Sequence, residues 1–169
     1  MPAFAVDQPV APEIPQTRTR WFSQYDLDPA ALRPWNAVGN WAFFNAQPNY
    51  VNAGFFGNGF GAAPGIGDSI EFRFVMTQGC YLFRLWTARN SDCGQIAITM
   101  NGYSVVPTID FYAGVLAPSY FYLNLNRLLV ADGLQRLVLT VKGKAGGSSN
   151  FYVRLYGIQF APYLPGVIP

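Results

Sequence analysis

From Asp68 onward the apolar residues of this chain recur at every second position. Ile70, Phe72 and Phe74 alternate with Glu71 and Arg73, and Tyr81, Phe83 and Leu85 share one phase. Ile96, Ile98 and Met100 alternate with Gln95, Ala97 and Thr99, and Leu137, Leu139 and Val141 form a further set. A period of two places successive side chains on opposite faces of an extended strand, so each segment has one face to bury and one to leave outside. Asn101-Gly102 is a two-residue hairpin signal ahead of Tyr103–Val106, and further strands are expected near 109–113, 119–125, 134–142 and 150–161. In the last of these, Phe151, Val153 and Leu155 are in phase whereas Ile158 and Phe160 are not, which requires a bulge near Gly157. Short strands with turns about every 8–12 residues specify an all-β fold, an antiparallel β-sandwich or jelly roll.

The N-terminal quarter reads differently. Pro2, Pro9, Pro12, Pro15, Pro29 and Pro34 all precede residue 35. Proline removes a backbone donor and favours extended chain, so residues 1–40 are expected to form an extended N-terminal arm and residues 41–169 the sandwich. Asp28, Pro29 and Pro34 would cap, open and end one helical turn at 28–33. A flexible spacer is rich in Gly and Ser, but this arm carries Phe4, Ile14, Trp21, Phe22 and Trp35 at intervals. Those five are the expected partner-interface anchors, seated on a neighbouring protein. Residues 40–67, rich in Asn, Gly and Phe, read as an irregular loop or one or two edge strands. No GK[ST] follows their glycines, so they do not form a phosphate loop.

Composition narrows the chemistry. With no histidine, the chain lacks the commonest general base and the commonest zinc ligand. Ser119 and Cys93 have no base beside them in sequence, and the acids Asp92, Asp110 and Asp132 fall at predicted turns or strand ends, where acids form solvated turns. No catalytic residue, cofactor or metal is therefore expected, and the chain does not read as an enzyme. The net charge of +2 is spread without a basic cluster, which argues against nucleic acid. No apolar run approaches the ~20 residues of a membrane span, and the first fifteen residues lack the basic and apolar regions of a signal peptide. If 79–87 and 95–101 pair as a hairpin about Asn90, Cys80 and Cys93 lie roughly 20 Å apart, too far for a disulfide. Two thiols in a reducing compartment are expected.

The fourteen Phe, ten Tyr and four Trp exceed what a small domain buries, which points some rings at a partner or ligand. Trp86, Tyr112, Tyr120 and Tyr122 fall on the solvent-side phase of their strands. They are either stacking platforms for a glycan or rings packed beneath the arm or against a second subunit.

The segments "GDSIEFRF", "GCYLFRLWTARNSDCGQIAITMNG" (as a turn-linked pair), "IDFYAG" and "ADGLQRLVLTVKGKAGGSSNFYVRLYGIQF" (as a closing hairpin) follow one another between Gly67 and Ala161. In this order they resemble galactose-binding-like jelly rolls, including carbohydrate-binding modules, and more specifically the jelly-roll modules of tailed-phage virion proteins. Carbohydrate-binding relatives often carry a structural calcium near the first and last strands. Here only Asp68 and Glu71 lie near the first strand and no acid lies on the last, so no calcium is expected. The resemblance, with the arm, implies a capsid decoration or cement protein of a phage virion. It would be assembled in the host cytoplasm, bind the major capsid protein or other virion proteins, and form a homo-oligomer, with a trimer as the expected state. The alternative is a tail-fibre or receptor-binding module that recognises host glycan.

Overall fold

The computed structural model describes residues 13–14, 20–23, 36–39, 43–44, 55–56, 65–114, 119–153 and 155–163. Strands, and no helix, occur among the described residues: β1 (Glu13–Ile14), β2 (Arg20–Ser23), β3 (Asn36–Val38), β4 (Phe43–Phe44), β5 (Phe55–Phe56), β6 (Ser69–Met76), β7 (Gly79–Arg89), β8 (Gln95–Met100), β9 (Tyr103–Asp110), β10 (Ser119–Val130), β11 (Gly133–Gly143) and β12 (Leu155–Pro162). Sheet A runs β1-β6-β11-β8-β9, with β3 also on β6, and sheet B runs β10-β7-β12-β2. Every pairing in the two sheets is antiparallel except β1 beside β6. The chain is an all-β jelly-roll sandwich.

The period of two decides what fills it. Ile70, Phe72, Phe74 and Met76 of β6 are buried, as are Ile96 and Ile98 of β8 and Leu137, Leu139 and Val141 of β11. Sheet B meets them with Tyr81, Phe83 and Leu85 of β7 and Ile158 and Phe160 of β12. Each such side chain withdrawn from water contributes about 1.5–3 kcal/mol before entropy is counted. Phe160 joins the layers: its ring stacks on Phe83 of sheet B at 5.1 Å and meets Phe74 of sheet A edge-on at 5.0 Å.

Two local expectations are met in detail. Asn101 and Gly102 both have positive φ, 51° and 84°, the backbone of the two-residue turn that joins β8 to β9. The β12–β7 register shifts between Leu155 and Gly157, which returns Ile158 and Phe160 to the core phase.

Other expectations are corrected. The segments 79–87 and 95–101 are not a hairpin, because β7 belongs to sheet B and β8 to sheet A. The chain crosses between layers at Asn90, whose N–H donates to Phe111 O at 3.1 Å. β11 and β12 are likewise split between the sheets and form no closing hairpin. Turn residues announce a change of direction, but which strand the chain then meets depends on layer packing. Cys80, near the start of β7, and Cys93, in the crossing beyond its end, are free thiols as expected. The strands expected at 103–106 and 109–113 are one strand, β9, ending at Asp110; it tolerates Pro107 because it lies at a sheet edge.

Three pieces of the 1–40 segment are strands of these sheets. Ile14 pairs with Met76, Trp21 and Phe22 pair with Gln159 and Ile158, and Asn36–Val38 pairs with the start of β6. Within 40–67, Phe43 and Phe44 pair with Phe56 and Phe55. Phe4, Trp35 and the turn expected at 28–33 lie outside the described residues.

Candidate functional site

One end of the sandwich is laced by its own backbone. Gly94 N–H donates to Tyr152 O at 3.0 Å, Tyr152 N–H to Asp92 O at 3.1 Å, and Ser149 N–H to Ser91 O at 3.0 Å. The buried Ser148 Oγ lies 2.7 Å from Cys93 O and 2.8 Å from Asn150 O. The small polar run at 145–150 is therefore the tie between the 90–94 crossing and the approach to β12. Tyr112 belongs to this end. A Cβ added to Gly147 would stand 2.4 Å from the Tyr112 hydroxyl, so the ring packs directly against the Gly147 backbone. Tyr112 bridges to Asn90 and is half-buried, apart from the other ring candidates.

The outward face of sheet A is polar and internally paired. Glu71, 6% exposed, accepts from Arg136 Nη2 at 2.7 Å and Nε at 3.2 Å, and from Arg73 Nε. The hydrogen bond from Arg136 is the main cause holding the Glu71 carboxyl below its ordinary range, against the opposing effect of burial. A carboxylate committed to two guanidiniums is a poor cation ligand. Asp68 is also engaged: Oδ2 accepts from Gly65 N–H at 2.8 Å, and its carboxyl group occupies the space a Gly39 side chain would need. No group of three metal-ligating side chains occurs among the described residues.

Sheet B differs. Tyr81, Phe83 and Leu85 define its inner phase, which places Arg84, Trp86 and Ala88 in the outward phase. Cα partners across an antiparallel pair share a face. Trp86 pairs with Tyr122, Ala88 with Tyr120, Arg84 with Asn124 and Gln159, and Gln159 with Trp21. The register positions of Trp86, Tyr120 and Tyr122 are thus gathered on one face, together with that of the arm residue Trp21. Arg84 Nη1 donates to Gln159 Oε1 over a long 3.4 Å. Gln159 is only 6% exposed, and its Nε2 has no hydrogen-bond partner among the described residues. A buried amide left with unmet donors costs about 1–3 kcal/mol, which makes the pair conspicuous on a face whose neighbouring positions are aromatic.

Arg84 and Gln159 are the residues that sequence reading missed. Arg84 was accessible from it, because it shares the phase of Trp86. The bulge expected at Gly157 puts Gln159 in the outward phase as well, but its place beside Arg84 depends on the β7–β12 register, which strand periodicity does not give.

No family model matches the chain. No curated protein matches it either. Solved structures do. A xanthan lyase of Paenibacillus superposes with a TM-score of 0.65 at 15% identity, over 92% of this chain and 14% of the lyase. A family 35 carbohydrate-binding module from an environmental isolate gives 0.56 at 14% identity, over 89% of this chain and 99% of the module. The CBM35 of Cellvibrio japonicus Abf62 gives 0.54 at 10% identity, over 85% and 92%. The chain thus spans about one seventh of the lyase and nearly the whole of the two modules. At these identities the likeness establishes the fold, that of the carbohydrate-binding-module jelly rolls.

Proposed function

We propose that this protein is a non-catalytic glycan-binding module whose binding surface is the outward face of sheet B. The observation that carries the reading is the Arg84–Gln159 pair, a half-buried guanidinium and a buried amide whose donors have no partner among the described residues, at register positions flanked by Trp86, Tyr122 and Trp21. Sugar recognition needs this mixture: ring faces for the apolar side of a pyranose, and a few fixed polar groups for orientation. The fold supports the reading, since the two modules that match along nearly their whole length are named for carbohydrate binding.

The shell-decoration expectation rested on arm residues reaching a neighbour. The backbones of Trp21 and Phe22 pair with β12 and that of Ile14 with β6 of the same chain, and the likeness to carbohydrate-binding modules favours the glycan reading over shell decoration. A tail-fibre or receptor-binding role uses the proposed surface unchanged, with host glycan as the ligand. The test is affinity electrophoresis of the purified protein through gels containing a panel of polysaccharides. Retardation by at least one, abolished in Trp86→Ala with the fold intact by circular dichroism, is the expected result. No retardation by any, or retardation indifferent to Trp86→Ala and Tyr122→Ala, would remove the reading.

A further inference from the structure

The charge of sheet B names the ligand class. None of the chain's nine acidic residues lies in β2, β7, β10 or β12, whereas Arg20, Arg84, Arg89 and Arg127 do. Two of these share the outward phase: Arg84, between Asn124 and Gln159, and Arg127, the Cα partner of Leu82. In sheet A, by contrast, Glu71 forms ion pairs with both Arg73 and Arg136. No carboxylate forms an ion pair with Arg84 among the described residues. The Arg84 guanidinium brings only N–H groups to the outward face of sheet B, and with Gln159 Oε1 accepting from Arg84, Gln159 Nε2 has no partner among the described residues.

A neutral sugar presents hydroxyls, each with a proton that needs an acceptor, and a protein site for it ordinarily supplies carboxylate or carbonyl oxygens. A face whose strands carry arginines and no carboxylate complements a ligand that brings an oxyanion. From this we infer that the outward face of sheet B binds anionic glycans, with Arg84 pairing a carboxylate or sulfate group and Gln159 Nε2 donating to a second oxygen of that group or its ring. The inference rests on the glycan-binding reading and adds the charge of the ligand to it. A guanidinium meets such an oxyanion through two parallel N–H···O bonds, a geometry that lysine cannot reproduce.

The experiment compares ligand pairs that differ only in charge: polygalacturonate against its methyl ester, and dextran sulfate against dextran, by isothermal titration. Binding to the charged member of at least one pair and not to its neutral partner is expected; which pair responds tells carboxylate from sulfate. Affinity should fall about tenfold or more in Arg84→Gln, and partly recover in Arg84→Lys. It should also weaken as salt rises from about 50 mM to about 500 mM. Lys142→Gln, an exposed cation on sheet A, should leave binding unchanged, which separates the site from general attraction of a basic protein to a polyanion. Equal affinity for charged and neutral members, lost in Trp86→Ala and indifferent to Arg84→Gln, would overturn the charge assignment and keep the glycan reading. Polyanion binding reduced by Lys142→Gln as much as by Arg84→Gln would overturn the assignment as well. Binding to none of the four polymers, nor to any in the wider panel, would sink the glycan reading itself.

Discussion

The outward face of sheet A holds Glu71 between Arg136 and Arg73, while that of sheet B holds Arg84 with no carboxylate partner among the described residues. Their inner faces are alike, with Phe72 and Leu139 on one side and Phe83 and Ile158 on the other withdrawn from water to the same degree. The two sheets therefore share the task of folding and divide the surface chemistry. On sheet A the Glu71 carboxylate is committed to Arg73 and Arg136, a pairing that serves the sandwich. On sheet B the donors of Gln159 are buried and have no partner among the described residues, a condition a fold retains where a ligand completes it.

The largest effect expected from any single change lies where the sheets are the same. Phe160 stacks on Phe83 and meets Phe74 edge-on, so Phe160→Ala opens a cavity between the layers. It should cost about 3–5 kcal/mol, read as the shift in urea midpoint at constant slope. A loss confined to about 1 kcal/mol would mean that the layers are held chiefly elsewhere.

Next in size is the clamp of sheet A. Glu71→Gln leaves Arg73 and Arg136 facing each other without the anion and should cost about 1–3 kcal/mol at neutral pH, with glycan binding unchanged. Its pH dependence follows by sign. Arg136 above all holds the Glu71 carboxyl below its ordinary 4.5 in the folded protein, so the folded state takes up this proton less readily than the unfolded chain. The clamp's contribution is complete above that ordinary value and is lost as pH falls through the depressed folded value. Urea midpoints of wild type and Glu71→Gln should accordingly converge on acidification. A gap that persists undiminished at about pH 3, below the ordinary carboxylate range, would show that Glu71 acts by shape rather than charge.

What could be foreseen of the two faces differs for a physical reason. Strand periodicity names a residue's phase, so the core sets at Ile70–Met76 and Leu137–Val141, the turn at Asn101-Gly102 and the bulge at Gly157 were all legible. The grouping of Trp86 with Tyr120 and Tyr122 required the β7–β10 register, and period alone says nothing of register between strands distant in sequence. The same gap misplaced β7 beside β8 as a hairpin. Tyr112 has the right residue type, but it is held at the far end by Gly147, a contact between segments thirty-five residues apart in sequence. The Arg84–Gln159 pair joins residues seventy-five apart, and only the β7–β12 pairing reveals it.

The smallest expected change in stability is also the sharpest test of the comparison. Gln159→Leu keeps the side chain near its original volume and removes an amide whose one side-chain bond among the described residues is a long 3.4 Å. Arg84, half-buried, keeps access to water and loses little. Stability should stay level or rise by up to about 1 kcal/mol, a gain of about 2–4 °C in Tm, while glycan affinity falls. That combination marks a group retained for binding at a cost to folding. If the Gln159→Leu protein instead melts well below wild type with affinity intact, Gln159 belongs with Glu71 as a polar group that serves the fold, and the contrast between the two faces disappears.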